Sequence, residues 1–250
     1  MFIDTFLTPF FPDKEDRFKN TLVVMIDVLR AGTTICAALY NGAKEVIPNE
    51  SVEKAVKIFT GLSKETRFLG GERNGKKPNG FDAGNSPNEY IMDVVRGKTV
   101  IFTTSNGTST FLKAREATER IIGSFVNINA ILDYLTHFIH NFGQDDLNIT
   151  FLCSGTNGRL SYEDTMCAGA YIDLISKNFD ESQMTDTALA AMEIYKLHET
   201  NLQEFIYTRE HSQFLRSIGK EQDIKVAMSF DHYPVVPVIR GNSIVPHSMQ

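Results

Sequence analysis

The stretch Thr150–Met166, TFLCSGTNGRLSYEDTM, decides how this chain folds. The apolar run LNITFLC from Leu147 to Cys153 breaks into a loop of small polar residues, and a helical pattern follows at once. A strand, loop and helix start of this kind leaves backbone N–H groups aimed at one point, and the helix dipole adds partial positive charge there. It is an anion site in the making. Gly155 and Gly158 permit positive φ and close backbone approach, Ser154 and Thr156 offer hydroxyl donors, and Arg159 offers a planar fork for two phosphate oxygens. The expected ligand is a phosphate ester. Read as Cys153-x5-Arg159, the loop also has the spacing by which cysteine-dependent phosphatases set a thiolate and an arginine around one phosphorus. The plainer reading of the same residues is a core cysteine ending a strand, then a turn whose Arg159 pairs with Glu163 or Asp164.

The same layout recurs upstream. TLVVMIDV, Thr21 to Val28, is a nearly continuous β-branched run of the kind found in strands covered on both faces, and it ends on Asp27. A turn and a helix from about Thr33 to Tyr40 follow, stopping at Asn41-Gly42 before a short strand at Glu45 to Pro48. Ser51 caps the next helix, and a strand at Arg67 to Gly70 enters the irregular segment GERNGKKPNGFDAGNSP, Gly71 to Pro87. A loop of that length inside an α/β domain is expected to be functional. After a helix at about Pro87 to Val95, the strand KTVIFTT, Lys98 to Thr104, empties into Ser105-Asn106-Gly107-Thr108-Ser109. A strand at Arg120 to Ser124 and an amphipathic helix at Asn127 to Phe142 lead to the opening stretch, and helices dominate from there to Ser217. Ile224 to Ser229 and Val235 to Ile239 read as closing strands, the latter an edge strand because of Pro237.

Alternating strands and helices predict a three-layer α/β/α domain around a largely parallel or mixed sheet, spanning residues 1–250 as one domain. In such folds ligands collect outside the carboxyl ends of the strands. Three strand ends, at DVLRAGTT, TTSNGTST and CSGTNGR, meet at one cleft if their strands run parallel. The formal charge of −6 comes without a basic run, which argues against nucleic acid as a partner. No run approaches membrane-spanning length and no secretory signal opens the chain. Three cysteines in apolar segments, Cys36, Cys153 and Cys167, favour a reducing cytoplasm over a disulfide framework.

Several residues are candidates for chemistry. Asp27, closing a buried strand beside Arg30, Thr33 and Thr34, could hold a metal or attack phosphorus; its plain alternative is to cap the helix that follows. Glu72, Asp82, Glu163 and Asp164 supply hard oxygen ligands without a His and Cys cluster, which suits Mg²⁺ better than Zn²⁺, and Asp27, Glu72 or Asp82 is expected on the metal. Thr104, Asn106 and Gly107 form a second phosphate cradle with Gly155, Thr156 and Gly158, and Arg30 or Arg73 would meet an anionic tail on the substrate. His137 and His140 share a helix face and read as structural, whereas His211 could be a general acid for a leaving alkoxide.

The motifs VVMIDVLRAGTT, GGERNGKKPNGFDAGNSPNEY, KTVIFTTSNGT, IIGSFVNINA and CSGTNGRLSYEDTMCAGAYIDLI, in this order between about Val23 and Ile239, resemble the 2-phosphosulfolactate phosphatase family. The resemblance implies a three-layer α/β fold and a Mg²⁺-dependent phosphatase acting on the phosphate ester of a small 2-hydroxy acid, a step of coenzyme M biosynthesis. A cysteine phosphatase has little use for a divalent cation, so the implied Mg²⁺ favours Asp27 or a metal-activated water over Cys153 as the attacking group. The alternative class is a binding protein that senses a phosphorylated or sulfonated metabolite without turning it over. The sequence leaves the oligomeric state open, a homo-oligomer included.

Overall fold

Every residue of the TLVVMI run is buried, and the run forms the strand β2 (Thr21–Ile26). In the computed structural model, which describes residues 1–10, 17–105, 107–142, 147–177 and 183–247, β2 lies between two parallel neighbours. These are β6 (Glu119–Gly123) and β7 (Asn148–Cys153). Beyond β7 follow β1 (Phe2–Phe6) and the short β8 (Gln183–Met184), both parallel. Beyond β6 the order continues through β9 (Pro237–Arg240), β10 (Ser243–Pro246), β3 (Glu45–Asn49), β5 (Thr99–Thr103) and β4 (Arg67–Gly71).

Side chains alternate across this sheet and define the outer layers. Leu22, Val24 and Ile26 face a cluster built from Ile131 and Leu135 of α5 (Ile128–Phe142), Met166 and Ile172 of α6 (Tyr162–Ser176) and Ala188 of α7 (Asp186–His198). Val23 and Met25 face the opposite layer. There they meet Ile35 and Leu39 of α1 (Ala31–Tyr40), Val95 of α3 (Met92–Val95) and Phe111 of the short α4 (Gly107–Phe111). A satellite cluster puts Ala55 of α2 (Val52–Gly61) over Leu69 and Ile101 at the β4 end of the sheet. The protein is therefore a three-layer α/β structure, as the alternation of elements predicts.

The sheet is mixed: six of its nine pairings are parallel, and the β9–β10 hairpin sits antiparallel between two parallel blocks. Three antiparallel steps separate β3 from β6, so the β4–β5–β3 block is opposed in sense to the block around β2. Strand twist of roughly 20–25° per neighbour accumulates across the intervening strands and turns the ends of the two blocks toward each other. The strand ends named above thus meet without their strands forming one parallel set.

Two expectations fail at the C-terminal end. Ile224–Ser229 is not a strand; Glu221–Ala227 forms the helix α10, with Asp223, Ile224, Val226 and Ala227 buried. An apolar run this short fits either period, and the buried Asp223 would have had no place on a strand face. Nor is the Pro237 strand an edge, since β9 lies between β6 and β10. Pro237 is its first residue and stands opposite Pro246 at the ladder's end, where a missing N–H removes no internal rung. The N-terminal strand β1 carries no strong sequence signal; its place comes from pairing with β7. The helix α1 starts two residues ahead of the expected Thr33 because an Asp27 carboxylate oxygen accepts the Ala31 amide at 2.9 Å. Asp27 does cap its helix, and its other oxygen remains free for other work. Ser51 caps α2 as expected, accepting from the Lys54 amide.

Helices α6 and α7 approach so closely at Gly169 that a Cβ there would lie 2.1 Å from the Ala191 carbonyl oxygen. Gly169→Ala must push the two helices apart. The variant is expected to lose about 1–3 kcal/mol, read as a lower urea midpoint at unchanged slope.

Candidate functional site

The carboxyl ends of β2, β7, β5 and β4 surround a cavity of about 270 Å³ lined by Asp27, Arg30, Glu72, Asn85, Thr104 and His211, among others. Its floor is acidic. Asp27 and Glu72 line it, and three further buried acids bond to residues beside it: Glu163 to His211, Asp164 to Gly155 and Asp223 to Arg30.

Asp164 holds the floor together. One of its carboxylate oxygens accepts the Val28 amide at 2.8 Å and the other the Gly155 amide at 2.9 Å, joining the exits of β2 and β7 to the first turn of α6. Its pKa is raised well above the ordinary carboxylate value, by burial first and then by the charges of Asp27 and Glu163. Glu72 does the equivalent at the other block: it accepts the Ser105 amide and the Gly75 amide, each at 2.7 Å, and ties β4 to the exit of β5.

Asp27 keeps one oxygen free. Its Oδ1 takes the Ala31 amide, while Oδ2 accepts no hydrogen bond among the described residues and faces Gly107. A Cβ on Gly107 would lie 2.3 Å from that oxygen, so only glycine lets the β5 loop come this near. Burial raises the Asp27 pKa from 3.8 to about 6; the Ala31 amide and His211 pull it down, and Glu163 and Glu72 push it up.

The cations are committed in different ways. Arg30 is buried and donates to Asp223 of α10 at 2.8 Å, with its other amino group 3.4 Å from the Gly75 carbonyl. Ser86 donates to the second oxygen of Asp223 at 2.5 Å. Arg73 is turned away from the cavity, donating to the carbonyls of Glu72 and Glu50 and to Thr103 Oγ1. Arg159 is exposed and borders a neighbouring groove with Arg209 and Tyr162. His211, on α9 (Glu210–Ser217), presents Nδ1 to Glu163 at 2.8 Å and to Thr156 Oγ1 at 3.2 Å.

Other residues marked from the sequence fall in several places. Thr104, Gly107 and Thr156 line the cavity, whereas Asn106 lies outside the described residues. The loop after β7 is not an open amide cradle. The Gly155 amide is taken by Asp164, and the Thr156 and Arg159 amides bond each other's carbonyls. Gly155 and Gly158 supply its positive φ values of 61° and 76°. Asp82 is exposed and accepts the Leu69 amide, away from the cavity. Cys153 is wholly buried in the α5–α6 core, its thiol pKa pushed well up by burial and by the charges of Asp164 and Glu163. His137 and His140 sit on the exposed face of α5. The sequence reading marks Asn85 only as part of the expected functional loop and misses Asp223, which the mistaken strand at Ile224 hid.

A fold and a site of this kind define the class: a three-layer α/β protein whose strand ends enclose a small, acid-lined cleft in which a buried aspartate keeps an oxygen free. The model of the 2-phosphosulpholactate phosphatase family matches residues 9–242, and the chain belongs to that family, whose reaction type is phosphate-ester hydrolysis. A probable 2-phosphosulfolactate phosphatase of Caldanaerobacter subterraneus subsp. tengcongensis is 37% identical over 98% of both chains. Relatives of the same printed name in Clostridium perfringens and Thermotoga maritima are 40% and 38% identical, covering 90% and 86% of this chain and 88% of each relative.

The raised Asp27 pKa has a sign that can be measured. The folded-state value lies above the unfolded one, so its stability contribution is complete below about pH 4 and is lost as the pH rises through about 6. Asp27→Asn carries no such loss. With EDTA present, the variant is expected to gain stability over the parent between pH 4 and pH 7, by about 3 kcal/mol in denaturant titrations.

Proposed function

We propose that the protein hydrolyses the phosphate ester of a small 2-hydroxy acid bearing a second anionic group, with 2-phosphosulfolactate as the substrate, in a Mg²⁺-dependent reaction in the cytoplasm. The buried acid floor around Asp27 carries this reading. A phosphate dianion entering a cleft lined by Asp27, Glu72 and Glu210 meets charge of its own sign in a low-dielectric setting. Among the described residues only Arg30 and His211 line it with the opposite sign, and Arg30 is already paired with Asp223.

The donor set fits Mg²⁺ held jointly with substrate. Among the described residues no three His, Cys, Asp or Glu side chains converge as a preformed metal cage. Mg²⁺ does not need one, since it commonly takes one or two carboxylates and completes its shell with water and substrate phosphate. Asp27 Oδ2 is a free protein ligand in the cleft, and Glu72 lines the cleft too, with both oxygens already accepting amides. Bound there, Mg²⁺ would offset charge on the phosphoryl group and polarise it.

The protein's own contribution is positioning. Thr104 and Thr156 line the cavity with Asp27, Gly107 lies against Oδ2, and Asn85 lines the same cavity with a buried Oδ1 that has no hydrogen-bond partner among the described residues. The cavity's size suits a three-carbon acid better than a sugar or nucleotide ester. The buried, free cysteines accord with a reducing compartment.

Phosphate release from 2-phosphosulfolactate and from phospholactate, each with Mg²⁺ and with EDTA, tests the reading. Turnover with Mg²⁺ and none with EDTA is expected, and equal turnover in both would remove the metal from the proposal. Asp27→Asn should lower kcat by about 10³-fold or more. Cys153→Ser, buried behind the cleft, should retain most activity per folded molecule while unfolding at lower denaturant; near-complete loss of turnover in a folded Cys153→Ser protein would overturn the exclusion of the thiol.

A further inference from the structure

Glu163 and His211 are 48 residues apart, yet they meet at the side of the cleft through one hydrogen bond of 2.8 Å. Glu163 is nearly inaccessible and His211 only 14% exposed at its side chain. With Nδ1 facing a carboxylate and the Thr156 hydroxyl, the ring's proton on that side is held in place, and Nε2 has no hydrogen-bond partner among the described residues. His211 also lines the cavity that holds Asp27. Phe214, one turn on along α9, lies against the imidazole with ring centroids 6.5 Å apart, which restricts its rotation.

We propose that His211, oriented by Glu163, donates the proton that the substrate oxygen takes as its bond to phosphorus breaks. The proposal rests on the phosphatase reading and deepens it. The leaving group of a 2-hydroxy acid ester is an alkoxide, a poor leaving group, and the acid floor makes a bare alkoxide there less favourable still. As the ester P–O bond breaks, its electron pair stays on the substrate oxygen, which takes the Nε2 proton and becomes the free hydroxyl. Water supplies the oxygen that ends on phosphorus; one of its protons stays on the released phosphate, the other passes to solvent, and the imidazole regains one proton from solvent. The same proton is needed whether water or Asp27 first reaches phosphorus, because the departing oxygen is the same.

The surroundings keep His211 in the donor form. Burial lowers the imidazole pKa, but the hydrogen bond and charge of Glu163 from α6, with the charge of Asp27 from the end of β2, outweigh both that and the opposing charge of Arg30, and the net shift is upward. The geometry leaves Nε2 open to the cleft, and the upward shift favours the charged ring, which has no lone pair and can only donate there. Glu163 acts through His211 and is a positioning residue.

The test compares two Mg²⁺-loaded reactions that differ in leaving group: phospholactate, which releases an alkoxide, and acetyl phosphate, which releases a carboxylate needing no proton. His211→Gln should lose about 10²–10³-fold in kcat on phospholactate and less than about tenfold on acetyl phosphate. In the pH profile on phospholactate, Glu163→Gln should move the alkaline limb to lower pH and Glu163→Asp should move it back. Equal losses on both substrates in His211→Gln, or an alkaline limb unmoved in Glu163→Gln, would overturn the proposal while leaving the phosphatase reading intact. A parent enzyme inactive on phospholactate and on 2-phosphosulfolactate would overturn both. If the parent turns over phospholactate alone, the alkaline limb decides.

Discussion

The two hydrogen bonds that Asp164 accepts, from Val28 and from Gly155, are what the functional region depends on. They join the exits of two parallel strands to the first turn of α6 with one buried side chain. A buried carboxylate is costly unless hydrogen-bonded, and these amides would themselves be costly unsatisfied, so each group removes the other's penalty. Because the carboxylate bridges, β2 and β7 must end level with one another, which fixes the height at which Asp27 and Thr156 stand.

Around that clamp the structure gathers acids rather than bases. Glu72 repeats the device at the other block of strands, satisfying the Gly75 and Ser105 amides. Asp223 anchors Arg30 and Ser86 from α10. The result is a cleft with much of its acid engaged in holding backbone, while Asp27 Oδ2 stays free. A site of this kind favours ligands that arrive with a cation or meet a proton donor. It explains how an acidic protein can belong to a family that handles dianionic esters.

The loop after β7 shows how tertiary context changes what a motif does. Its glycines, threonine and arginine read as a phosphate cradle, and two of its glycines do adopt positive φ. Yet its amides turn inward, to Asp164 and to each other, and its arginine faces a separate groove. The loop's contribution to the cleft is the Thr156 side chain and the neighbouring Asn157. Cys153 is likewise a core residue, since its place on β7 points it into the layer of α5 and α6.

By itself the sequence determined the layer architecture, the buried strand ending on Asp27, the placement of Thr104, Gly107 and Thr156 at strand exits, and the family. These are local or ordered along the chain: continuous β-branched runs, glycine-marked turns and motifs in series can be read without knowing who faces whom. The tertiary structure alone decided the antiparallel β9–β10 insertion, the pairing of Arg30 with Asp223 across 193 positions, and the meeting of Glu163 with His211. It also decided that Arg73 and Asp82 support backbone outside the cleft. Hydrogen-bond partners far apart in sequence leave no periodicity, and the twist that brings opposed strand blocks together is a sum over the whole sheet, so neither is written in any single stretch of residues.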